Sequence, residues 1–202
     1  MNKLAKLPKA AVLGAANGVM FMTFFGAVWA SIGIRGSHGI GEPWSLIISS
    51  IVTLILLSGA ISLFVKARKM DHAATQEERD QRKQINRKFG LIGGLEGLAI
   101  LIASVICNMI NHFELFFPIM AIIVGIHFFP LAGLFRERFY YGTGAILCIL
   151  GVITFFLPTN AAVNNVTLVA TSTFIGFTSA LTLWVTGLRI WTHALNQLKQ
   201  ET

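Results

Sequence analysis

The segment that decides the fold is residues 89–110, FGLIGGLEGLAILIASVICNMI, in which Glu96 is the only charged residue. An apolar stretch of about 20 residues is long enough to cross the hydrocarbon core of a bilayer as a helix. A carboxylate inside such a stretch costs several kcal/mol unless it is protonated, paired or in contact with water. The segment therefore predicts a membrane-spanning helix with a candidate functional residue inside it.

The composition of the whole chain is also typical of a membrane protein. Of its 202 residues, 54% are hydrophobic and 12% are charged, whereas soluble domains carry about 25% charged residues. The net charge of +7 raises the question of nucleic acid, but the basic residues flank apolar segments instead of forming a groove with interleaved aromatic residues. We expect an integral membrane protein that has the lipid bilayer as its partner and binds no nucleic acid.

Six apolar segments are long enough to span a bilayer as helices. The fold class is therefore an all-α integral membrane protein, a single transmembrane domain over residues 1–202 with a charged cytoplasmic loop at 66–88. The first apolar run follows basic residues, as in a signal peptide, but exceeds the roughly 7–15 residues of such a signal, so we expect an uncleaved first span. The predicted spans are 10–34, 44–65, 89–110, 114–135, 139–157 and 166–190.

The distribution of Lys and Arg predicts the orientation. Cytoplasmic loops carry the excess of these residues near the span ends, and fifteen of the sixteen lie in the N-terminal arm, the 66–88 loop, the 136–138 turn and the C-terminal part. Only Arg35 lies on the other side. Both termini are therefore predicted to be cytoplasmic, in a multi-pass protein of a bacterial inner (plasma) membrane. Within the 66–88 loop, Thr75 and Glu78 have capping-box spacing, which predicts a helix that runs towards span 3.

Similar motifs predict an internal repeat of three helical hairpins. LGAANG at 13–18 and IGGLEG at 92–97 lie at the same depth in spans 1 and 3, and YGTGA at 141–145 opens span 5 more loosely. A repeat of this kind would make each hairpin one structural unit. Chance similarity between apolar helices is the alternative.

Two stretches carry a resemblance to known families. GAILCILGVITFFLP at 144–158, followed by Leu168-Val169-Ala170, resembles the acid-resistance membrane protein family, in which a glycine-rich helix ends at a proline and a second helix returns, three times over. The first hairpin departs from that pattern because it lacks the proline. GIHFFPLA at 125–132, followed by YYGTG at 140–144, resembles a signature of small uncharacterised bacterial membrane proteins. Neither resemblance implies a defined activity.

Three polar residues are predicted to share one level in the membrane. Counted from the nearest flanking basic residue at 1.5 Å per residue, Glu96 and Asn17 lie roughly 12 Å deep and His127 roughly 13 Å deep. Spans 3 and 4 are joined by a very short turn, so Glu96 and His127 are expected to be partners. Pro130 leaves the carbonyl of Ile126 without its helical donor and is predicted to kink the helix there.

This polar layer has two interpretations. As a binding site, it would hold a proton, a cation or a polar solute. As a packing device, its members would form buried hydrogen bonds of about 0.6–2 kcal/mol between helices. A threonine stripe on span 6 also has two interpretations. The hydroxyl groups either line a pore or donate to carbonyls of the preceding helical turn. The stripe includes Thr171, Thr178 and Thr182.

The remaining reactive residue types predict neither a metal nor a cofactor. Cys107 and Cys148 lie inside apolar spans, where cysteine behaves as a small hydrophobic residue. The other histidines have no second ligand at helical spacing, so no metal site is expected. Glycine pairs such as Gly90 and Gly94 have the spacing of helix contacts and are expected to pack helices within the bundle.

Three functions are compatible with these observations. The first is permeation or transport of a small solute or ion through the Glu96, His127 and Asn17 layer. The second is a non-catalytic stress-tolerance, accessory or scaffold role, with a homo-oligomer or another membrane protein as partner. The third is an intramembrane enzyme acting on a lipid or quinone, which would need both groups within reach of the substrate; no nucleophile motif accompanies them, which disfavours an enzyme.

Overall fold

Helices make up most of the computed structural model, which describes residues 9–70, 76–163 and 166–200. Within those ranges there are six α-helices, one short 3₁₀ turn at Phe113–Leu115 and one antiparallel β-hairpin. The helices are α1 Lys9–Gly36, α2 Trp44–Arg68, α3 Gln76–Met109, α4 Phe116–Phe135, α5 Phe139–Thr154 and α6 Ala170–Lys199. The strands of the hairpin are β1 Asn160–Val163 and β2 Val166–Val169.

By length and composition, five of the helices in the described ranges are able to cross a membrane. The exception is α5, whose 16 residues rise about 24 Å, less than the roughly 30 Å of a hydrocarbon core. Its predicted span was three residues longer than α5. Residues 155–157 instead form tighter turns, in which each backbone N–H donates to the carbonyl three residues earlier, and Pro158 follows them. The chain is thus a helical membrane protein.

The predicted start of the last span was wrong. Val166–Val169 form a strand rather than the first turn of a helix, and the backbone N–H of Ala170 donates to the carbonyl of Thr159 at 2.9 Å, which closes the base of the hairpin. Valine and threonine favour strands because their branched side chains fit a pleated surface. An apolar run rich in such residues therefore suits either structure.

The charged segment before span 3 is continuous with it. Helix α3 begins at Gln76 and runs without a break to Met109, so its first turns extend beyond the apolar part. The predicted capping box cannot be assessed, because Thr75 and the side chain of Glu78 lie outside the described residues.

The centre of the bundle is the antiparallel contact between α1 and α6. Gly33 meets Gly176 so closely that a methyl group on Gly176 would lie 2.6 Å from the Cα atom of Gly33. Nearer the other end of the contact, Gly26 faces the indole of Trp184. Small residues allow helix backbones in a membrane to approach in this way.

The other helices are arranged around this pair. Helix α2 packs on α1 and α6, and Lys9 Nζ donates to the carbonyl of Met70 at 3.1 Å, which joins the start of α1 to the end of α2. Helices α4 and α5 pack through Gly125 and Gly144, again at backbone distance. The closest pairs are therefore α1 with α6 and α4 with α5, and the three-hairpin grouping stays a prediction.

Helix α3 is the least enclosed member of the bundle. It packs mainly on α4, and Ala103 and Cys107 are the only buried residues among its described side chains. Its glycines have no described atom within 4 Å of where a methyl group would lie. The expectation that the glycines of α3 pack helices within the bundle was wrong, because α4 contacts a different face of this helix. These glycines are Gly90, Gly93, Gly94 and Gly97.

The α1–α6 contact predicts the effect of one added methyl group. Gly176→Ala is expected to destabilise the protein by about 1–3 kcal/mol, the usual cost of overpacking, because the methyl group meets backbone that cannot move aside. Gly97→Ala is the matched control and should leave stability unchanged or raise it by up to about 1 kcal/mol. Denaturant unfolding in detergent micelles measures both. Equal stability of the two variants would contradict the close contact.

Candidate functional site

Glu96 and His127 meet at the contact between α3 and α4. His127 Nδ1 lies 3.2 Å from Glu96 Oε2, and the two side chains are 12% and 21% exposed. Ala103 and Cys107 follow Glu96 by seven and eleven residues, so all three share one face of α3. The buried Ala103 and Cys107 lie on the face of α3 that packs on α4. The carboxyl group of Glu96 on the same face is therefore directed at the imidazole of His127.

The geometry of the pair is that of an ion pair rather than an aligned hydrogen bond. His127 Nδ1 is within ion-pair distance of the carboxylate, but its direction does not satisfy a hydrogen bond to any described residue. The backbone of Ile92, one turn before Glu96, also faces the imidazole. A carboxyl group and an imidazole at this distance are able to exchange a proton or to hold opposite charges.

Pro130 lies inside α4, and the helix continues through it to Phe135. Proline has no N–H, so the carbonyl of Ile126 loses its usual helical donor. Ile126 immediately precedes His127, which puts this carbonyl next to the candidate pair in the chain. The described helix has no break at Pro130.

Asn17 does not belong to this polar layer. It is exposed on α1, and the rings of Phe21 and Phe89 make an edge contact at 5.7 Å that sets the relative level of α1 and α3. Helix α1 is antiparallel to α6, α6 to α5, α5 to α4, and α4 to α3. Helices α1 and α3 therefore run in the same direction. Asn17 lies one turn before Phe21 and Glu96 lies seven residues after Phe89, an offset of roughly 16 Å along the bundle. The flanking basic residues were a poor common reference, because Lys9 precedes Phe21 by twelve residues whereas Lys88 precedes Phe89 by one.

The threonines of α6 are satisfied inside the bundle. Thr178 donates to the carbonyl of Phe174 at 2.6 Å, and Thr182 donates to the carbonyl of Thr178 at 2.8 Å, while Thr171 is buried. Such bonds to the preceding turn occupy the hydroxyl donors. The contacts do not favour a pore lined by this stripe.

One buried polar link was not expected from the sequence. Thr143 Oγ1 of α5 lies 2.7 Å from Thr186 Oγ1 of α6, and both side chains are buried. Thr186 lies four residues after Thr182 on α6, and its partner on another helix depends on tertiary packing. A hydroxyl pair of this kind holds two membrane helices together.

A chain of aromatic rings also connects the pair to the rest of the bundle. The rings of Phe21, Phe89, Phe135, Tyr140 and Phe128 contact one another in that order, and Phe128 neighbours His127. Edge contacts of this kind contribute about 0.5–1.5 kcal/mol each beyond burial. Aromatic residues near span ends are a visible signal, but their order requires the structure.

A second carboxylate–imidazole pair lies in the turn between α3 and α4. His112 Nδ1 donates to Glu114 Oε1 at 2.7 Å, and the imidazole is exposed. The same two residue types are thus paired at the surface, which supplies a control for the pair inside the bundle.

Two shallow surface hollows lie elsewhere on the bundle, and neither is lined by Glu96 or His127. Within the described ranges, no three His, Cys, Asp or Glu side chains cluster as metal ligands would. The chemistry available at the site is therefore that of the two ionisable groups themselves.

The chain belongs to DUF7010, a family of unknown function whose profile matches residues 4–186. This agrees with the expected resemblance to uncharacterised proteins. It does not support the acid-resistance membrane protein family, which is not the family matched. No curated protein and no solved structure matches the chain.

The proximity of Glu96 and His127 predicts that substitutions at the two positions are not additive. Glu96→Leu and His127→Leu are expected to couple by about 0.6–1.7 kcal/mol, the range for polar contacts between membrane helices. Each single variant leaves one polar group without its partner, whereas the double variant removes both. Unfolding of the three variants in detergent micelles measures the coupling, and additive effects would contradict the contact.

Proposed function

We propose that the protein moves a small solute or ion across the membrane and that the Glu96–His127 pair is its exchange site. The observation that carries this proposal is an ionisable pair, 3.2 Å apart, between two helices able to span a membrane. Intramembrane ionisable residues of this kind are expensive and commonly mark proton or ion pathways. Asn17 is not included, because it lies away from the pair.

The pair has a chemical basis for exchange. With the carboxyl group ionised and the imidazole neutral, the pair carries one negative charge and attracts a cation. Uptake of one proton by the pair makes it neutral and removes that attraction. A proton and a cation therefore compete for the same site, which is the minimum requirement for coupled movement.

Helix α3 supplies the movable element in this proposal. It has few buried residues and packs mainly on α4, so a change in the charge of the Glu96–His127 pair acts on its main attachment to the bundle. Sparse apolar burial is typical of segments that open at low free-energy cost. Displacement of α3 would expose the pair.

The orientation of the chain belongs to the same proposal. Both termini are placed in the cytoplasm because the Lys and Arg excess lies on their side, and the membrane is proposed to be a bacterial inner membrane. A cysteine introduced at Gln200 should be protected from a membrane-impermeant maleimide in intact cells. Its labelling from outside would reverse the orientation.

Flux measurements across pH test the exchange site. Proteoliposomes with an internal pH dye are given gradients of monovalent cations, and the wild type should move protons against the cation. Glu96→Gln should lower this flux by about 100-fold, the lower end of what a positioned proton-transfer group contributes. Glu114→Gln is the matched control and should keep the wild-type rate. Equal rates in the wild type and Glu96→Gln would contradict the proposal.

A second candidate function is an accessory or scaffold role. The specific observation in its favour is the open glycine face of α3, where Gly90 and Gly97 meet no described atom within 4 Å. Small residues permit close packing of another membrane helix. A photo-crosslinking residue at Gly97 should then capture a stoichiometric membrane protein or a second copy, while one at Leu95, on a different face, should not. Absence of a crosslink at Gly97 would reject this role.

A further inference from the structure

The cytoplasmic end of α3 carries a feature unrelated to the Glu96–His127 pair. Gln84, Arg87, Lys88 and Leu91 line a surface hollow. Their spacing of three, four and seven residues puts them on one face of the helix. An amide, a guanidinium and an ammonium group therefore lie beside one another, directly next to an apolar side chain.

The same face continues into the bilayer as a row of exposed leucines. Leu91, Leu95 and Leu98 are 65%, 59% and 53% exposed, as expected for side chains in contact with lipid. From Leu91 to Met109 the helix rises about 27 Å, close to the thickness of the hydrocarbon core. This length places Arg87 and Lys88 at the level of the lipid headgroups.

The two basic residues carry charge that no described residue neutralises. Arg87 and Lys88 are exposed and form no ion pair within residues 9–70, 76–163 and 166–200. Lys83, one turn before Arg87 and outside the hollow, has Asp80 at 3.9 Å. The uncompensated positive charge thus coincides with the hollow and with the leucine row.

We propose that this face of α3 binds an anionic phospholipid. The phosphate group lies against Arg87 and Lys88, because a guanidinium donates two parallel hydrogen bonds to phosphate oxygens. Gln84 donates to the glycerol or headgroup oxygens, and an acyl chain runs along Leu91 and Leu95. The proposal does not depend on the function of the Glu96–His127 pair.

A phospholipid suits this face better than a soluble phosphate does. Soluble phosphate would use the two cations but gain nothing from the leucine row. A phospholipid carries a charged phosphate group next to apolar acyl chains. Helix α3 carries its basic residues next to its leucines in the same order along the membrane normal. Basic residues near a membrane surface each contribute about 1 kcal/mol to the attraction of anionic lipid.

Lipid retention in nanodiscs tests the proposal with matched variants of the full chain. Arg87→Gln/Lys88→Gln removes two charges from the hollow. The control, Arg79→Gln/Lys83→Gln, removes two charges from the same helix at positions that do not line the hollow. Both variants are placed in discs of phosphatidylcholine mixed with phosphatidylglycerol, and the lipids that remain after detergent extraction are identified by native mass spectrometry.

The expected result is selective loss in the hollow variant. Its preference for phosphatidylglycerol should fall roughly 30-fold, which corresponds to about 1 kcal/mol for each of two basic residues, while the control keeps the wild-type preference. If the double variant does not fold, as judged by circular dichroism, the single variants Arg87→Gln and Lys88→Gln should each lose roughly 5-fold.

Three results would overturn the proposal. Equal losses in the hollow variant and its control would mean that only total charge attracts the lipid. Unchanged retention in the hollow variant would mean that the hollow binds no lipid. Displacement of phosphatidylglycerol by its deacylated headgroup, glycerophosphoglycerol, at comparable concentration would mean that the site binds phosphate without using the leucine row.

Discussion

The close approach of α1 and α6 at Gly33 and Gly176 is the contact on which the rest of the structure depends. In a bilayer, apolar side chains gain little by leaving lipid, so helices associate through close packing and buried polar bonds. Once these two backbones are fixed, α2 has a surface to pack on, and α5 joins α6 through the Thr143–Thr186 bond. Helix α4 packs on α5, and α3 lies outermost, with the fewest buried residues among the described side chains.

This arrangement of the helices explains why Glu96 and His127 lie at the contact between α3 and α4. A carboxylate between α1 and α6 would be forced into the densest part of the bundle, where desolvation costs most. Glu96 instead lies at the outermost helix contact, with His127 beside it and part of its side chain still exposed. The position combines a nearby partner with incomplete enclosure by the bundle.

Local sequence was sufficient for some features and not for others. The neighbourhood of Glu96 and His127 could be predicted because their helices are joined by a short turn, so depth along one helix is related to depth along the other. Asn17 could not be placed, because the register of α1 against α3 is set by packing such as the Phe21–Phe89 contact. The pairing of Gly33 with Gly176 could not be predicted either, because no local sequence pattern relates residues so far apart in the chain.

The short helix α5 has a consequence for the bilayer around the protein. In a six-span arrangement, α5 at about 24 Å would end roughly 6 Å before a hydrocarbon core of average thickness does, and the chain that follows would begin below the headgroups. Backbone at that depth needs internal hydrogen bonds, and the pairing of β1 with β2 supplies some of them. In that arrangement we expect the lipids beside α5 to be thinner than those beside α1.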